Sequence, residues 1–248
     1  MKNILKIMAF LLTMVWFAGC HEITTEGVTS VTHYPSFKLL GDEIFTIALG
    51  ETFIDPGVIV MEGDNDISDK VIVTGTVNTG EVGFYPLTYS ATNVDGFSGS
   101  APRLVFVYDP SITTDISGSY TVDLPQSNRF QFSNSAVIEY ANLGALYGGD
   151  FSKFTVDLEQ IAPGIFSVND LYGGYYYAGR NYSAIYMMGG YIALNGDNSI
   201  DVLYSLVPGW GDALDDLSDA SYDPATETIE WGAEYAGSYS FNVVLNKK

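Results

Sequence analysis

The chain has 248 residues, of which 47% are hydrophobic and 14% aromatic. Its 10 lysines and arginines stand against 30 aspartates and glutamates, which gives a formal net charge of −20. So acidic a surface repels phosphate backbones and excludes nucleic acid as a partner. The length suits one or two domains, and the single cysteine means that burial of apolar side chains must stabilise the fold.

Residues 1–19 have the organisation of a secretory signal peptide. Lys2 and Lys6 precede an apolar run that ends at Phe17, and small residues follow it. The run is too short to cross a hydrocarbon core of about 30 Å as a helix. The sequence from Phe17 to Cys20 resembles the lipobox of bacterial lipoproteins, which implies that Cys20 is acylated, palmitate included, and becomes the first residue.

Cleavage before Cys20 leaves 8 cations against 30 carboxylates, a mature charge of −22. No polybasic segment then attracts anionic lipid, so the acyl chains on Cys20 must provide the attachment to membrane lipid. Residues 20–33 are polar and lack periodicity, and they are interpreted as a tether.

Residues 34–108 are predicted to form an Ig-like β-sandwich domain. Short runs rich in Val, Ile, Thr, Phe and Tyr alternate there with turn dipeptides, and no Cys–Trp–Cys pattern is present. The strand candidates are Ile44–Leu49, Gly57–Met61, Val71–Val77, Gly83–Ala91 and Leu104–Tyr108.

Residues 109–115 are interpreted as a linker, and residues 116–248 as a C-terminal aromatic-rich β domain with 14 of the 18 tyrosines. A second antiparallel β-sandwich and a meander barrel both fit this pattern, so the predicted class is all-β. One or two helical turns are predicted at Ala213–Ala220. The strand candidates are Gly118–Leu124, Phe154–Gln160, Gly164–Asn169, Tyr175–Gly179, Tyr186–Leu194, Ser199–Leu206, Thr228–Glu234 and Tyr239–Leu245.

Motifs in both blocks resemble known modules. Asp55-Pro56-Gly57, Asp64–Ser68 and Gly83–Asn93 resemble an Ig-like module common in bacterial surface proteins. The second block resembles the C-terminal domain of a family of Bacteroidetes outer-membrane lipoproteins that carry the Ig-like module at the N-terminus. The matching segments are Pro163–Val168, Gly173–Tyr177, Gly190–Ile192 and Gly209–Asp212. The resemblance implies an outer-membrane, cell-surface location beside starch-utilisation-type importers and a part in glycan capture, and it carries over no catalytic residues.

Leu171–Tyr191 is the first candidate ligand site, with seven tyrosines in 21 residues. Read as a strand, it places Tyr175 and Tyr177 on one face and Tyr176 on the other. Tyrosine rings offer flat surfaces and hydroxyls to a sugar, and Arg180 and Tyr182 follow directly. The alternative is a tyrosine-rich core.

Trp210 is the second candidate, because flanking glycines after Pro208 imply a loop and Asp212 adds a hydrogen-bond acceptor. The alternative is an indole folded back to anchor the loop. Trp231, in an alternating run, is predicted to lie in the core.

Catalytic and metal sites lack suitable residues. The histidines, His21 and His33, lie in the tether, and the one thiol is that of Cys20, so Ser–His, Cys–His and zinc sites are excluded. Asp64, Asp66 and Ser68 have the spacing of the first ligands of an EF-hand loop. The sixth position is Asp69 instead of Gly and the twelfth is Gly75 instead of Glu, so an EF-hand is not expected. The acidic cluster Asp212, Asp215, Asp216, Asp219 and Asp223 has the carboxylate oxygens that Ca²⁺ prefers, and the alternative, which we favour, is a solvated loop. No cofactor and no metal are therefore expected.

The sequence thus predicts a non-catalytic surface lipoprotein that binds a polysaccharide or oligosaccharide through its C-terminal domain. The alternative is a structural or adhesion lipoprotein that binds another protein, such as an importer subunit or a host surface. A glycosidase built on a carboxylate pair is a third hypothesis, but no pair stands out among the 30 acids.

Overall fold

The computed structural model describes residues 31–133, 136–140, 143 and 151–248. The predicted signal peptide, Cys20 and most of the tether lie outside the described residues. None of the helices in the described ranges is long and apolar enough to span a membrane.

Seventeen strands make up nearly all the regular structure of these ranges, which confirms the all-β prediction. Short 3-10 turns occur at Ser68–Lys70, Phe151–Lys153 and Ala184–Tyr186, and one π-helical turn occurs at Tyr175–Gly179. The strands are β1 Pro35–Leu39, β2 Ile44–Ala48, β3 Val58–Glu62, β4 Asn65–Asp66, β5 Ile72–Thr74, β6 Gly83–Thr92, β7 Ser98–Tyr108, β8 Gly118–Val122, β9 Asn128–Ser133, β10 Ala136–Tyr140, β11 Thr155–Ala162, β12 Ile165–Val168, β13 Gly189–Leu194, β14 Ile200–Leu206, β15 Asp216–Asp223, β16 Thr228–Tyr235 and β17 Tyr239–Lys247.

The N-terminal strands form two small sheets, β1-β3-β4 and β2-β7-β6-β5. β2 and β7 run parallel, whereas the other neighbours are antiparallel. Alternating apolar side chains such as Leu87, Val105 and Val107 fill the interior of the larger sheet, and Val60 and Ile67 fill that of the smaller one.

A fully buried arginine joins these two sheets. Arg103 donates to the Tyr89 hydroxyl at 2.9 Å and to the backbone carbonyls of Asp42, Leu40 and Gly57 at 2.7–3.0 Å. Its Nε also lies 3.7 Å from the Asp55 carboxylate, which caps the Gly57 N–H at 2.9 Å. The Asp-Pro-Gly motif is therefore a structural element that positions acceptors around the buried charge.

The C-terminal strands form one curled antiparallel sheet. Its order is β8-β11-β12-β13-β14 on one side, and β17 links β8 to β16 and then β15. β14 comes back to β15 through a Ser199–Ser221 bridge and the Tyr222 N–H bond to the Asn198 carbonyl at 2.9 Å. The sheet therefore surrounds a single aromatic-rich core, and the β9–β10 hairpin extends from β17.

The two domains pack directly against each other. Phe106 on β7 is fully buried, and its ring lies 4.8 Å from that of Tyr191 on β13. Phe84 on β6 lies 5.4 Å from the rings of both Tyr191 and Tyr204, while Ile165 and Ala193 complete the apolar contact. This interface fixes the orientation of the curled sheet relative to the Ig-like domain.

The helix predicted at Ala213–Ala220 is wrong, since Asp216–Asp223 forms β15. Leu217 and Tyr222 both point into the core, and a register shift between Ser218 and Ser221 keeps them on the same side. Such a β-bulge interrupts the alternation of buried and exposed residues, so the sequence of this strand lacks the regular period of two.

Replacing Arg103 by methionine is expected to destabilise the Ig-like domain by about 1–3 kcal/mol, because it leaves the buried Tyr89 hydroxyl and the part-buried backbone carbonyls without their donor. Tyr89→Phe removes one hydroxyl and is expected to cost about 1–3 kcal/mol. Urea unfolding followed by far-UV circular dichroism measures both. Equal midpoints for Arg103→Met and the wild type would contradict the role given to this arginine.

Candidate functional site

The tyrosine-rich segment does not form the predicted strand. Tyr175–Gly179 is a π-helical turn, so the predicted alternation of Tyr175, Tyr176 and Tyr177 is wrong. Gly173 and Gly174 precede it with φ of +60° and +81°, a backbone conformation that reverses the chain and that side chains disfavour. A Cβ at Gly173 would also lie 2.8 Å from the Val243 side chain.

Asp170 holds both ends of this segment. It is 1% exposed, and its Oδ1 accepts the N–H groups of Tyr172 at 3.1 Å and Met188 at 3.2 Å. Its Oδ2 accepts the Gly174 N–H at 3.1 Å. Burial raises the pKa of Asp170 to about 7, and the three backbone hydrogen bonds offset only part of that rise.

Trp231 fastens the segment to the sheet. Its indole Nε1 donates to the Leu171 carbonyl at 2.9 Å, and the Leu171 N–H donates to the Met188 carbonyl at 2.8 Å. Trp231 is 2% exposed, which confirms its predicted place in the core. The chain between Leu171 and Met188 is therefore a closed excursion at one end of the curled sheet.

This excursion brings the two predicted candidate sites together. The ring of Trp210 lies 4.8 Å from those of Tyr176 and Tyr186, 6.4 Å from Tyr182 and 6.3 Å from Tyr235. We call these five residues the aromatic patch. Trp210 is 40% exposed and Tyr182 is 37% exposed, so part of the patch faces solvent.

The backbone geometry of the Trp210 loop requires glycine on both sides of the tryptophan. The Gly209 N–H donates to the Ile185 carbonyl at 2.7 Å, and a Cβ at Gly209 would lie 2.5 Å from the Tyr186 ring. Gly211 has φ of +75°. The loop can therefore lie close to the tyrosine segment while the indole stays at the surface.

Polar groups border the patch. The Tyr235 hydroxyl donates to Asp212 Oδ2 at 2.9 Å, and Asp212 is exposed. Burial, followed by the hydrogen bond to Asp212, raises the pKa of Tyr235 to about 12. Burial also raises the pKa of Tyr176 to about 12. Both phenols therefore stay protonated at neutral pH and keep their hydrogen-bond donors.

The other predicted ligand residues lie beside or behind the patch. Tyr175 is 1% exposed and packs 5.0 Å from the Phe241 ring, which excludes it from ligand contact. Tyr177 is half-buried beside the ammonium of Lys153 at 5.7 Å. The guanidinium of Arg180 lies 5.8 Å from the Tyr182 ring, at the margin of the patch.

Sequence reasoning missed Tyr186 and Tyr235 as patch residues. Tyr235 ends the inward-facing series Ile229, Trp231, Ala233 on β16, and this alternation could have placed it at the rim of the sheet. Tyr186 had no such signal, because its position depends on the path of the excursion. Within the ranges that the structure describes, no three acidic, histidine or cysteine side chains are placed to hold a metal ion.

The raised pKa of Asp170 predicts a specific pH dependence. Its folded pKa of about 7 exceeds the unfolded value, so the folded state holds the proton more tightly. The associated stability is fully present below about pH 4 and is lost as the pH rises through about 7. In Asp170→Asn this part of the dependence should disappear.

Urea unfolding of both proteins across that pH range measures the effect. The difference in unfolding free energy between wild type and variant should change between about pH 4 and 7 and level off above it. A difference that stays constant throughout would contradict the buried, titrating carboxyl group.

Comparisons with known proteins agree with this architecture. Residues 37–107 match the model of the bacterial surface protein Ig-like domain, and residues 109–247 match a family model described as a C-terminal domain. The crystal structure of the lipoprotein BT2262 from Bacteroides thetaiotaomicron is 33% identical, and the match covers 86% of this chain and all of that one with a TM-score of 0.45.

Two further matches are to ZmpB of Clostridium perfringens. One is to its CBM51-2 in complex with GlcNAc and INT domains, at 21% identity, covering 54% of this chain and 31% of that one with a TM-score of 0.27. The other is to its M60 catalytic domain with CBM51-1 and CBM51-2, at 19% identity, covering 56% and 15% with a TM-score of 0.30. Similarity this low supports no functional argument. Comparison with curated proteins gave no match.

The resemblance to a lipoprotein family with an N-terminal Ig-like domain is confirmed by the two family models and by the identity to BT2262. The matched C-terminal domain takes in the whole curled sheet and the aromatic patch. The chain therefore belongs to the family of the Bacteroides thetaiotaomicron lipoprotein BT2262.

Proposed function

We propose that this protein is a non-catalytic lipoprotein, anchored in the outer membrane through acylated Cys20, that binds a glycan at the cell surface. The Ig-like domain serves as a spacer in this proposal, and the aromatic patch is the binding surface. The observation that carries it is the half-exposed Trp210, surrounded by four tyrosine rings at 4.8–6.4 Å.

The geometry suits a sugar ring. An indole held by neighbouring rings offers a rigid apolar face, so little conformational freedom is lost when a pyranose stacks on it. The Tyr176 and Tyr182 hydroxyls supply donors for a sugar, and the Asp212 carboxylate, which already accepts the Tyr235 hydroxyl through Oδ2, supplies an acceptor through its other oxygen.

A second candidate function is binding of another protein. Ile185, beside the Trp210 loop, is 53% exposed and gives the patch an aliphatic edge that a sugar does not need. A neighbouring importer subunit would fit this alternative. It predicts binding to that protein and no affinity for polysaccharides.

Replacing Trp210 by alanine is expected to weaken glycan binding at least tenfold, because central aromatic residues dominate such interfaces. Affinity electrophoresis of the soluble protein lacking residues 1–20, in gels that contain pullulan, galactomannan, xyloglucan or laminarin, measures retention. Phe132→Ala is the matched control, since Phe132 is equally exposed at 41% but lies on the β9–β10 hairpin. Equal retention of the wild type and Trp210→Ala would contradict the proposal.

Bound glycan is also expected to shield Trp210 from acrylamide. The protein without residues 1–20 has two tryptophans, and Trp231 is 2% exposed, so Trp210 at 40% provides the quenchable emission. A retained polysaccharide should lower the quenching constant, and Trp210→Phe should abolish the change. A quenching constant that saturating glycan leaves unaltered would place binding elsewhere.

A further inference from the structure

The charged groups around the aromatic patch are unevenly placed, with the carboxylates nearest the Trp210 loop. Beside Trp210, Asp212 accepts the Tyr235 hydroxyl at 2.9 Å, and Asp215 accepts the Gly237 N–H at 2.6 Å. Both carboxylates are exposed, and in the described part of the chain neither is paired with a lysine or arginine. The raised pKa of Tyr235 reflects both charges as well as its burial.

The cations of this region lie against tyrosine rings rather than beside Asp212, and within the described ranges Arg180 is the one that contacts a patch ring. The guanidinium of Arg129 lies 5.1 Å from the Tyr175 ring and 5.3 Å from the Tyr239 ring, and Arg129 is 7% exposed. The Lys153 ammonium contacts Tyr177, and Arg180 contacts Tyr182. Among the described residues, none of these cations lies over the Trp210 ring.

From this asymmetry we infer that the glycan bound by the aromatic patch is electrically neutral and that Asp212 excludes polymers bearing carboxylate or sulfate groups. The inference rests on the proposed function of the same patch. A sugar stacked on Trp210 meets Asp212, whose Oδ1 has no hydrogen-bond partner among the described residues. That oxygen accepts a sugar hydroxyl in a charge-assisted hydrogen bond, whereas it repels an acidic substituent at the same position.

The local effect of Asp212 is separable from that of the whole protein. The net charge of −22 that remains without Lys2 and Lys6 repels every polyanion, but salt screens that long-range part, with a screening length of about 8 Å at physiological ionic strength. A direct contact with Asp212 is shorter than that length and is therefore only partly screened. Discrimination against acidic glycans should therefore persist in salt and depend on one carboxylate.

The test compares each neutral polysaccharide that the protein retains with a carboxymethylated form of the same polymer, at low and physiological salt. Asp212→Asn keeps an acceptor for the Tyr235 hydroxyl but removes the charge. Asp219→Asn is the matched control, because Asp219 is exposed on β15, makes no ring or hydrogen-bond contact with the patch, and has φ of +49°, which asparagine tolerates.

The wild type is expected to prefer the neutral form about tenfold at physiological salt, as expected for a local charge contact. Asp212→Asn should weaken binding of the neutral form about fivefold and bring the two forms to similar affinity. Asp219→Asn should leave the preference unchanged.

Two results would overturn the inference while leaving glycan binding intact. One is that the wild type binds the carboxymethylated form as tightly as the neutral form, or more tightly. Loss of that binding in Arg180→Gln would assign it to the guanidinium. The other is an unchanged preference in Asp212→Asn. Failure of the wild type to retain any polymer would overturn the proposed function and this inference with it.

Discussion

The candidate site depends on one buried carboxylate. Asp170 accepts backbone N–H groups from Tyr172, Gly174 and Met188, so a single side chain fixes the beginning and the end of the excursion that carries three of the five patch rings. The two glycines permit the reversal, and Trp231 attaches it to β16. Removing the carboxylate would leave buried N–H groups unpaired, which costs about 1–3 kcal/mol each.

The same arrangement explains how a tyrosine-rich chain can be both core and surface. Tyr172 and Tyr175 are almost fully buried against Phe241, and their rings support Tyr176, which in turn meets Trp210 edge to face at 4.8 Å. Rings packed in this way resist rotation, so the exposed part of Trp210 is held in one orientation. The contact between the Ig-like domain and β13 then fixes the direction in which the curled sheet is presented.

Most strands and the all-β class could be predicted from the sequence, because alternation of apolar residues is a local signal, as in Gly83–Ala91 and Thr228–Glu234. Trp210, Asp212, Tyr176 and Tyr182 were also predicted from the sequence as candidate ligand-binding residues. The strand predicted at Tyr175–Gly179 was wrong, because aromatic residues favour strands in general. Here Gly173, Gly174 and Asp170 together determine that the segment forms a π-helical turn instead. Tyr186 joins the patch through contacts distant along the chain, which no local pattern encodes.

Amide hydrogen exchange with and without a retained neutral polysaccharide tests the central claim most directly. Bound glycan is expected to slow exchange at two segments remote in sequence, the excursion from Tyr176 to Tyr186 and the loop from Gly209 to Asp212, and to leave the Ig-like strands unaffected. Slowing confined to the Ig-like domain or to the outer face of β15–β17 would contradict the assignment of the aromatic patch as the binding surface.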